Sequence, residues 1–249
     1  MTLVAILVGI LIVVVVAIGQ LGNRVTGTFT NPGIAYPADI QHANTLGSAS
    51  APVLLEVYGD FQCPICARHS LDVEPSIVSK YVMPGKVRIV HHDIAILGRP
   101  TPTSPDNESR IAASGAVCAI AQGKYWDYAH WIFANQDGEN AGGFTRDRVT
   151  AIATAAGLDG AALRSCLDQP ATTSQVDAST QQALSMGINA TPTMYLNGTS
   201  IGSGLKSVDQ LSALIDAVLA GGSASPSASA VPSPSAVASP SAVASPSAV

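Results

Sequence analysis

Every Asp, Glu, Lys and Arg of this 249-residue chain lies between Arg24 and Asp216. Both ends are therefore uncharged, and a fold with a polar surface and an apolar core has to be built from the middle. Residues 3–18 (LVAILVGILIVVVVAI) form an unbroken apolar run that Leu21 extends. As a helix, 16 residues span about 24 Å, somewhat less than a bilayer core of about 30 Å. Buried strands and core helices seldom run so long without a polar face, so residues 1–21 are expected to be a transmembrane anchor or, alternatively, a cleaved signal segment. No small-residue cleavage pair stands out after the run, and its length favours the retained anchor.

The other end, residues 221–249, contains only Gly, Ser, Ala, Pro and Val and repeats SPSAVA from Ser233 onward. Proline every six residues interrupts helices, and side chains this small bury too little area to offset ordering. A disordered Ser/Pro/Ala-rich tail is expected. Residues 22–50, rich in Gly, Asn, Thr and Pro, read as a tether. The 12 basic and 17 acidic residues leave a net charge of −5. Without a basic cluster to neutralise phosphates, no nucleic-acid partner is expected.

Within the middle, VLLEVY (53–58) reads as a central strand. GDFQCPICARHSLDVEPSIVSKYV (59–82) begins as a turn and becomes helical, with a kink expected at Pro75. KVRIVHHDIAI (86–96) reads as a second strand, completing a βαβ unit. Residues 98–105 are loop punctuation. From Glu108 to Met186 the pattern is helical throughout. MYLNGTSIG (194–202) places Asn-Gly between apolar residues, a strong hairpin signal, and an amphipathic helix over 208–220 closes the domain. The order implies an α/β core in two parts, 51–97 and 188–220, with a helical domain inserted at 98–187.

Cys63-Pro64-Ile65-Cys66 stands where the first strand gives way to a helix. The unsatisfied amides and positive dipole at a helix N-terminus stabilise the Cys63 thiolate. Cys66, one turn along, is placed to attack a mixed disulfide at Cys63 and release the product. Pro64 suits the first helical turn, which has no use for its missing N–H. Cys-x-x-Cys is also half of a zinc site, and His69 follows at helical spacing, but zinc wants a fourth ligand and usually a second pair. Cys118 and Cys166 lack that spacing. A redox pair without metal or other cofactor is the expectation, and His91, His92 and His130 read as ordinary surface or partly buried residues.

Several stretches together resemble one family: Leu46-Gly47 and Ala51-Pro52-Val53, Asp60-Phe61-Gln62-Cys63-Pro64-Ile65-Cys66, Met186 to Thr193 (MGINATPT), and Leu196-Asn197-Gly198. They are similar to the DsbA-like thiol:disulfide oxidoreductases of thioredoxin fold, in the membrane-tethered or secreted branch. Tyr125-Trp126-Asp127-Tyr128 and Phe133-Ala134-Asn135-Gln136 are similar to that branch's inserted domain. The resemblance covers roughly residues 46–220. It implies a thioredoxin fold in which Pro192 is cis and faces the Cys63 sulfur, with the backbone of Thr191 free to pair with a substrate strand.

The resemblance further implies an acid six residues before the first cysteine, buried as a proton relay. Val57 occupies that place, so the candidate relay is its neighbour Glu56. Adjacent strand residues point to opposite faces, so Glu56 reaches the site only across a bulge. The strongest oxidants of the family have Pro-His between the cysteines; with Pro64 and Ile65 there instead, a less acidic Cys63 and a moderate oxidising power are expected. With the CxxC pair self-contained, Cys118 and Cys166 are expected to form a structural disulfide across the insertion, beside the alternatives of unpaired core cysteines or a second relay.

The activity implied is an oxidase of reduced exported proteins, reoxidised by a membrane quinone-linked thiol oxidase. Its catalytic domain would lie outside the cell membrane on a single-pass anchor, or be secreted after cleavage. A membrane-tethered reductase or isomerase is the rival enzyme, and a non-catalytic binding module or chaperone for unfolded exported chains the rival of another class.

Overall fold

The structure, a computed structural model, describes residues 9–13, 27–98 and 107–222. Residues 9–13 are helical. The rest of the expected anchor and nearly all of the expected tail, 223–249, lie outside the described residues, as does most of the 98–105 loop. Among the described residues no helix is long and apolar enough to cross a membrane.

Six strands form one sheet: β1 (Gln41–His42), β2 (Thr45–Leu46), β3 (Val53–Gly59), β4 (Val87–Asp93), β5 (Thr193–Leu196) and β6 (Thr199–Ser203), in the spatial order β1-β2-β4-β3-β5-β6. β3 and β4 are parallel, joined by the crossover helix that a parallel pair requires. The other pairings are antiparallel. β5 and β6 form a hairpin whose turn residues, Asn197 and Gly198, both have positive φ, 47° and 76°. That is the conformation for which Asn-Gly is favoured.

The crossover runs through α1 (Pro64–Arg68) and α2 (Glu74–Ile77), with π-helical turns at His69–Val73 and Val78–Val82. Pro75 has no N–H to offer the carbonyl four residues back, and its ring crowds that turn. Glu74 N–H instead reaches back five residues to His69 O. The expected kink thus takes the form of a widened turn that carries the helix through Pro75. The insertion comprises α3 (Glu108–Ala121), α4 (Tyr125–Ala134), α5 (Arg146–Ala155), α6 (Gly160–Leu167) and α7 (Pro170–Ser185). α8 (Val208–Leu219) ends the domain, entered through a capping box of Ser207 and Gln210.

The expected tether, 22–50, needs correction. β1 and β2 are a small hairpin within the sheet, with Thr45 opposite Val90 and Leu46 opposite Ile89. Two-residue strands show no periodicity, which is why they read as linker, but Leu46 is fully buried. Gly47, at φ +96°, follows because a Cβ there would come within 2.8 Å of Val82 Cγ1 and Val87 O. Further upstream the chain lies along the insertion. Asn135 accepts from Thr30 N at 2.8 Å and donates to Thr30 O at 3.0 Å, and the Tyr36 ring packs edge-on to Trp126 and His130.

Side chains of β3 alternate between two environments. Val53, Leu55 and Val57, with Ile89, Met194 and Leu196, join the main core beneath the crossover helix and the insertion. Tyr58 joins Ile94, Ala183, Ile188 and Tyr195 in a smaller cluster on the other face. In the insertion, Cys118 of α3 is bonded to Cys166 of α6, 48 residues on. Closing a loop of that length confers up to about 4 kcal/mol in the chain-entropy picture. Replacing both cysteines by alanine is expected to lower stability by that order, read as an earlier urea midpoint at unchanged slope. A midpoint within experimental error of the unmodified protein would refute a stabilising role for this bridge.

Candidate active site

β3 delivers the chain to Asp60, and the loop from Asp60 to Cys63 is braced from several directions. The buried Asp60 carboxylate accepts from Gln62 N at 2.9 Å and Ser109 Oγ at 2.6 Å, and its second oxygen from Ile96 N and Leu97 N, both at 2.9 Å. Gln62 donates to Ser109 Oγ at 2.8 Å and accepts from Asn140 N at 2.6 Å. Gln136 donates to Phe61 O and, at 3.2 Å, to Cys63 O. Asp60 and Gln62 are thus struts joining the cysteine loop to the insertion. In the sequence they appear only as flanking letters of a motif, because their partners outside the loop are 36 or more residues away.

Cys63 is the N-cap of α1, with Pro64 in the first turn. Its Sγ accepts from Cys66 N at 3.4 Å and lies 3.3 Å from Thr191 O. The Thr191–Pro192 peptide is cis, and the loop before β5 lays the Thr191 backbone against the sulfur. Cys63 and Cys66 are both free thiols in this structure. A hydrogen bond from the Cys66 thiol lowers Cys63 to about 6, against the opposing effect of burial and with help from Thr191 and the Cys66 and Ile65 amides. Burial, together with the hydrogen bond to Cys63, pushes Cys66 well above the ordinary thiol value. One sulfur is a thiolate near neutral pH and the other stays protonated. Pro64 is exposed and Ile65 half-buried beside them. With an aliphatic residue at Ile65, the acidity of Cys63 rests on backbone and thiol donors. Its value falls between the approximately 3.5 of DsbA and 7 of thioredoxin.

Glu56 requires a correction. β3 pairs with β4 in unbroken register from Val53 opposite Val87 to Gly59 opposite Asp93, so no bulge turns Glu56 toward the cysteines. Glu56 lies on the face opposite Val57, where its Oε1 is 3.2 Å from His92 Nε2. The cavity beside Cys66 is lined instead by Val57, Gly59, His69, His91, Asp93 and Pro192, among others.

The histidines are corrected too. His91 and His130 are buried, and both reach the fully buried Glu74 of α2, at 2.5 and 3.5 Å. Tyr36 completes the cluster at 3.4 Å. Burial opposes ionisation of Glu74, but His91 and His130 hold its carboxyl far below the ordinary range. His91 is raised despite its burial, through Glu74. The carboxylate lies 17 residues from His91 and 56 from His130, so spacing along the chain gave no sign of it. Among the described residues no group of three or more His, Cys, Asp or Glu is disposed to hold a metal ion.

The profile of the thioredoxin family matches residues 41–217. The chain belongs to the thioredoxin family. Disulfide bond formation protein D of Bacillus subtilis strain 168 is 26% identical over 170 residues, covering 67% of this chain and 73% of that protein. The oxidised structure of BdbD from Bacillus subtilis superposes with a TM-score of 0.61 at 25% identity, covering 73% of this chain and 95% of that one. A thioredoxin-like oxidoreductase from Silicibacter pomeroyi gives 0.57 at 26% identity, over 74% of this chain and 95% of that one. This thioredoxin-family member is a thiol:disulfide oxidoreductase of the DsbA type, and Cys63–Cys66 is its single vicinal cysteine pair.

Proposed function

We propose that this chain is an oxidase that introduces disulfides into reduced exported proteins. The observation that carries the reading is the asymmetry of the pair: Cys63, acidic and set against the Thr191 backbone, beside Cys66, buried and protonated. In the oxidised enzyme a substrate thiolate attacks Cys63 Sγ and breaks the Cys63–Cys66 bond. The bonding electrons pass to Cys66, which takes up a proton. A second substrate thiolate then attacks the substrate sulfur of the mixed disulfide, and Cys63 leaves as a stabilised thiolate. The substrate has lost two electrons and gained a disulfide; the enzyme holds the two electrons as reduced cysteines. Stabilising the reduced form in this way makes the disulfide oxidising.

Thr191 and Pro192 are assigned the role of presenting backbone to an extended substrate strand. The reoxidant is a membrane quinone-linked thiol oxidase. The enzyme is placed on the outer side of the cell membrane, held there by the apolar segment at residues 1–21. The Cys118–Cys166 bridge supports an oxidising compartment.

Equilibration of Cys63–Cys66 with glutathione tests the direction of electron flow. A potential of about −120 to −180 mV is expected. A value near about −270 mV, that of thioredoxin, would replace the oxidase with a membrane-tethered reductase or isomerase.

A further inference from the structure

The exchange just described leaves a question of protons. When the Cys63–Cys66 bond breaks, the electron pair settles on the sulfur of Cys66, a residue only 3% exposed. A bare thiolate is costly there. In the reverse sense, Cys66 must lose a proton before it can attack a mixed disulfide at Cys63. A proton route to Cys66 is therefore needed in either direction of electron flow.

The nearby carboxylates narrow the choice. Asp60 is saturated by four donors. Glu74 is engaged by His91, His130 and Tyr36, and Glu56 faces away across the sheet. Asp93, the last residue of β4, lies on the same face as Val57 and opposite Gly59. It shares with Cys66 a cavity of about 10 Å³, room for about one water molecule. The room exists partly because residue 59 is glycine: a Cβ there would stand 3.7 Å from Cys66 Sγ. His69 lines the same cavity, buried, with both ring nitrogens lacking a protein partner. Buried polar atoms left unpaired by protein are a usual mark of a water site or a functional group.

We propose that Asp93 gives and takes the Cys66 proton across this cavity, with the His69 ring positioning the water that carries it. On attack by a substrate thiolate, the Asp93 carboxyl gives its proton to the Cys66 sulfur as the Cys63–Cys66 bond breaks. On return, the Asp93 carboxylate removes that proton as Cys66 attacks the disulfide at Cys63 and the bound thiol leaves. Asp93 is a part-buried residue at the end of its strand, and from there the proton exchanges with bulk water. Tyr125 Oη donates to Asp93 Oδ1 at 2.9 Å and fixes its orientation.

The groups facing Asp93 are His91 and His92 on its own strand, Asp60 beyond β3, Tyr125 and Tyr128 of α4, and Cys66 and His69 of the crossover helix. Of α7 it meets the neutral Ser179 hydroxyl, through its backbone carbonyl. Desolvation raises the carboxyl to about 6 against the lowering effects of His91, Tyr125 and His92. That is close to the working range of a proton carrier at neutral pH.

The inference rests on exchange at Cys63–Cys66 and not on its net direction. The test uses the Cys63–glutathione mixed disulfide, prepared in acid and released by a pH jump, so that only Cys66 attack is timed. In the unmodified protein the release rate should rise through about pH 6 and level off as Asp93 ionises. Asp93→Asn should be slower by about a hundredfold at pH 7 and should rise with hydroxide without that inflection, so the two converge at alkaline pH. Tyr125→Phe keeps Asp93 but removes a donor to its carboxylate, and should move the inflection to higher pH. Asp93→Asn within twofold of the unmodified protein across the range, or an unshifted Tyr125→Phe profile, would overturn the proposal. A general structural fault would slow release equally at every pH, which also overturns it. The glutathione potential of the same proteins separates this from the oxidase reading: a reducing potential sinks only the direction, and an unchanged profile sinks only Asp93.

Discussion

Cys63→Ser is expected to abolish disulfide transfer to a reduced peptide, a loss on the order of a thousandfold or more, since the attacked sulfur has no substitute. Cys66→Ser should also lose turnover but behave differently. Its Cys63, acidic at about 6 when Cys66 donates to it, still exchanges with a disulfide. Without the resolving thiol it should accumulate as a covalent mixed disulfide, visible as added mass that reductant removes. This pair of outcomes distinguishes an oxidoreductase from a module that merely holds unfolded chains. A Cys63→Ser protein that still oxidises the peptide at the unmodified rate would move the chemistry elsewhere.

The second large effect concerns stability. Glu74→Gln removes the anion that compensates His91 inside the protein. Removing one partner of a buried, hydrogen-bonded ion pair typically costs about 3–5 kcal/mol, much of it for the charge left alone. The pH dependence has a definite sign. Glu74 is depressed from an ordinary 4.5, so its contribution is present above that value and lost as pH falls. His91 is raised from 6.5, so its contribution is present below 6.5 and lost as pH rises through its folded value. The stability difference between the unmodified protein and Glu74→Gln should therefore peak at roughly pH 5 to 6.5 and shrink on both sides. Urea titrations across that range measure it, and a difference that is flat with pH would mean that Glu74 acts through shape rather than charge.

The Glu74 cluster bears on how the fold is assembled. Glu74 comes from the crossover helix, His91 from the central sheet, His130 from the insertion and Tyr36 from the segment upstream of the sheet. One buried carboxylate thus ties together four parts of the chain, including a stretch that reads in the sequence as a mere tether. That stretch looked like linker because it has no periodicity. Its ordering comes from long-range partners such as Asn135 and Trp126, which no local window contains.

What the amino-acid sequence determined by itself is what depends on neighbours along the chain. The βαβ unit around Cys63 and Cys66, the helical block after it, the Asn197-Gly198 hairpin and the placement of the cysteine pair at a helix start all follow from period, turn chemistry and capping. These act over a few residues and are written in order. Tertiary structure decided the rest, because proton transfer and ion pairing act through space. The unbroken register of β3 on β4, with no bulge, kept Glu56 away from the cysteines. The parallel pairing of β3 with β4 set Asp93 opposite Gly59, beside the cavity of Cys66, though 27 residues of chain separate it from that cysteine. The same packing set the buried Glu74 against two buried histidines that looked ordinary in the sequence, and only at close range and out of water does a carboxylate from another element raise His91 as this one does.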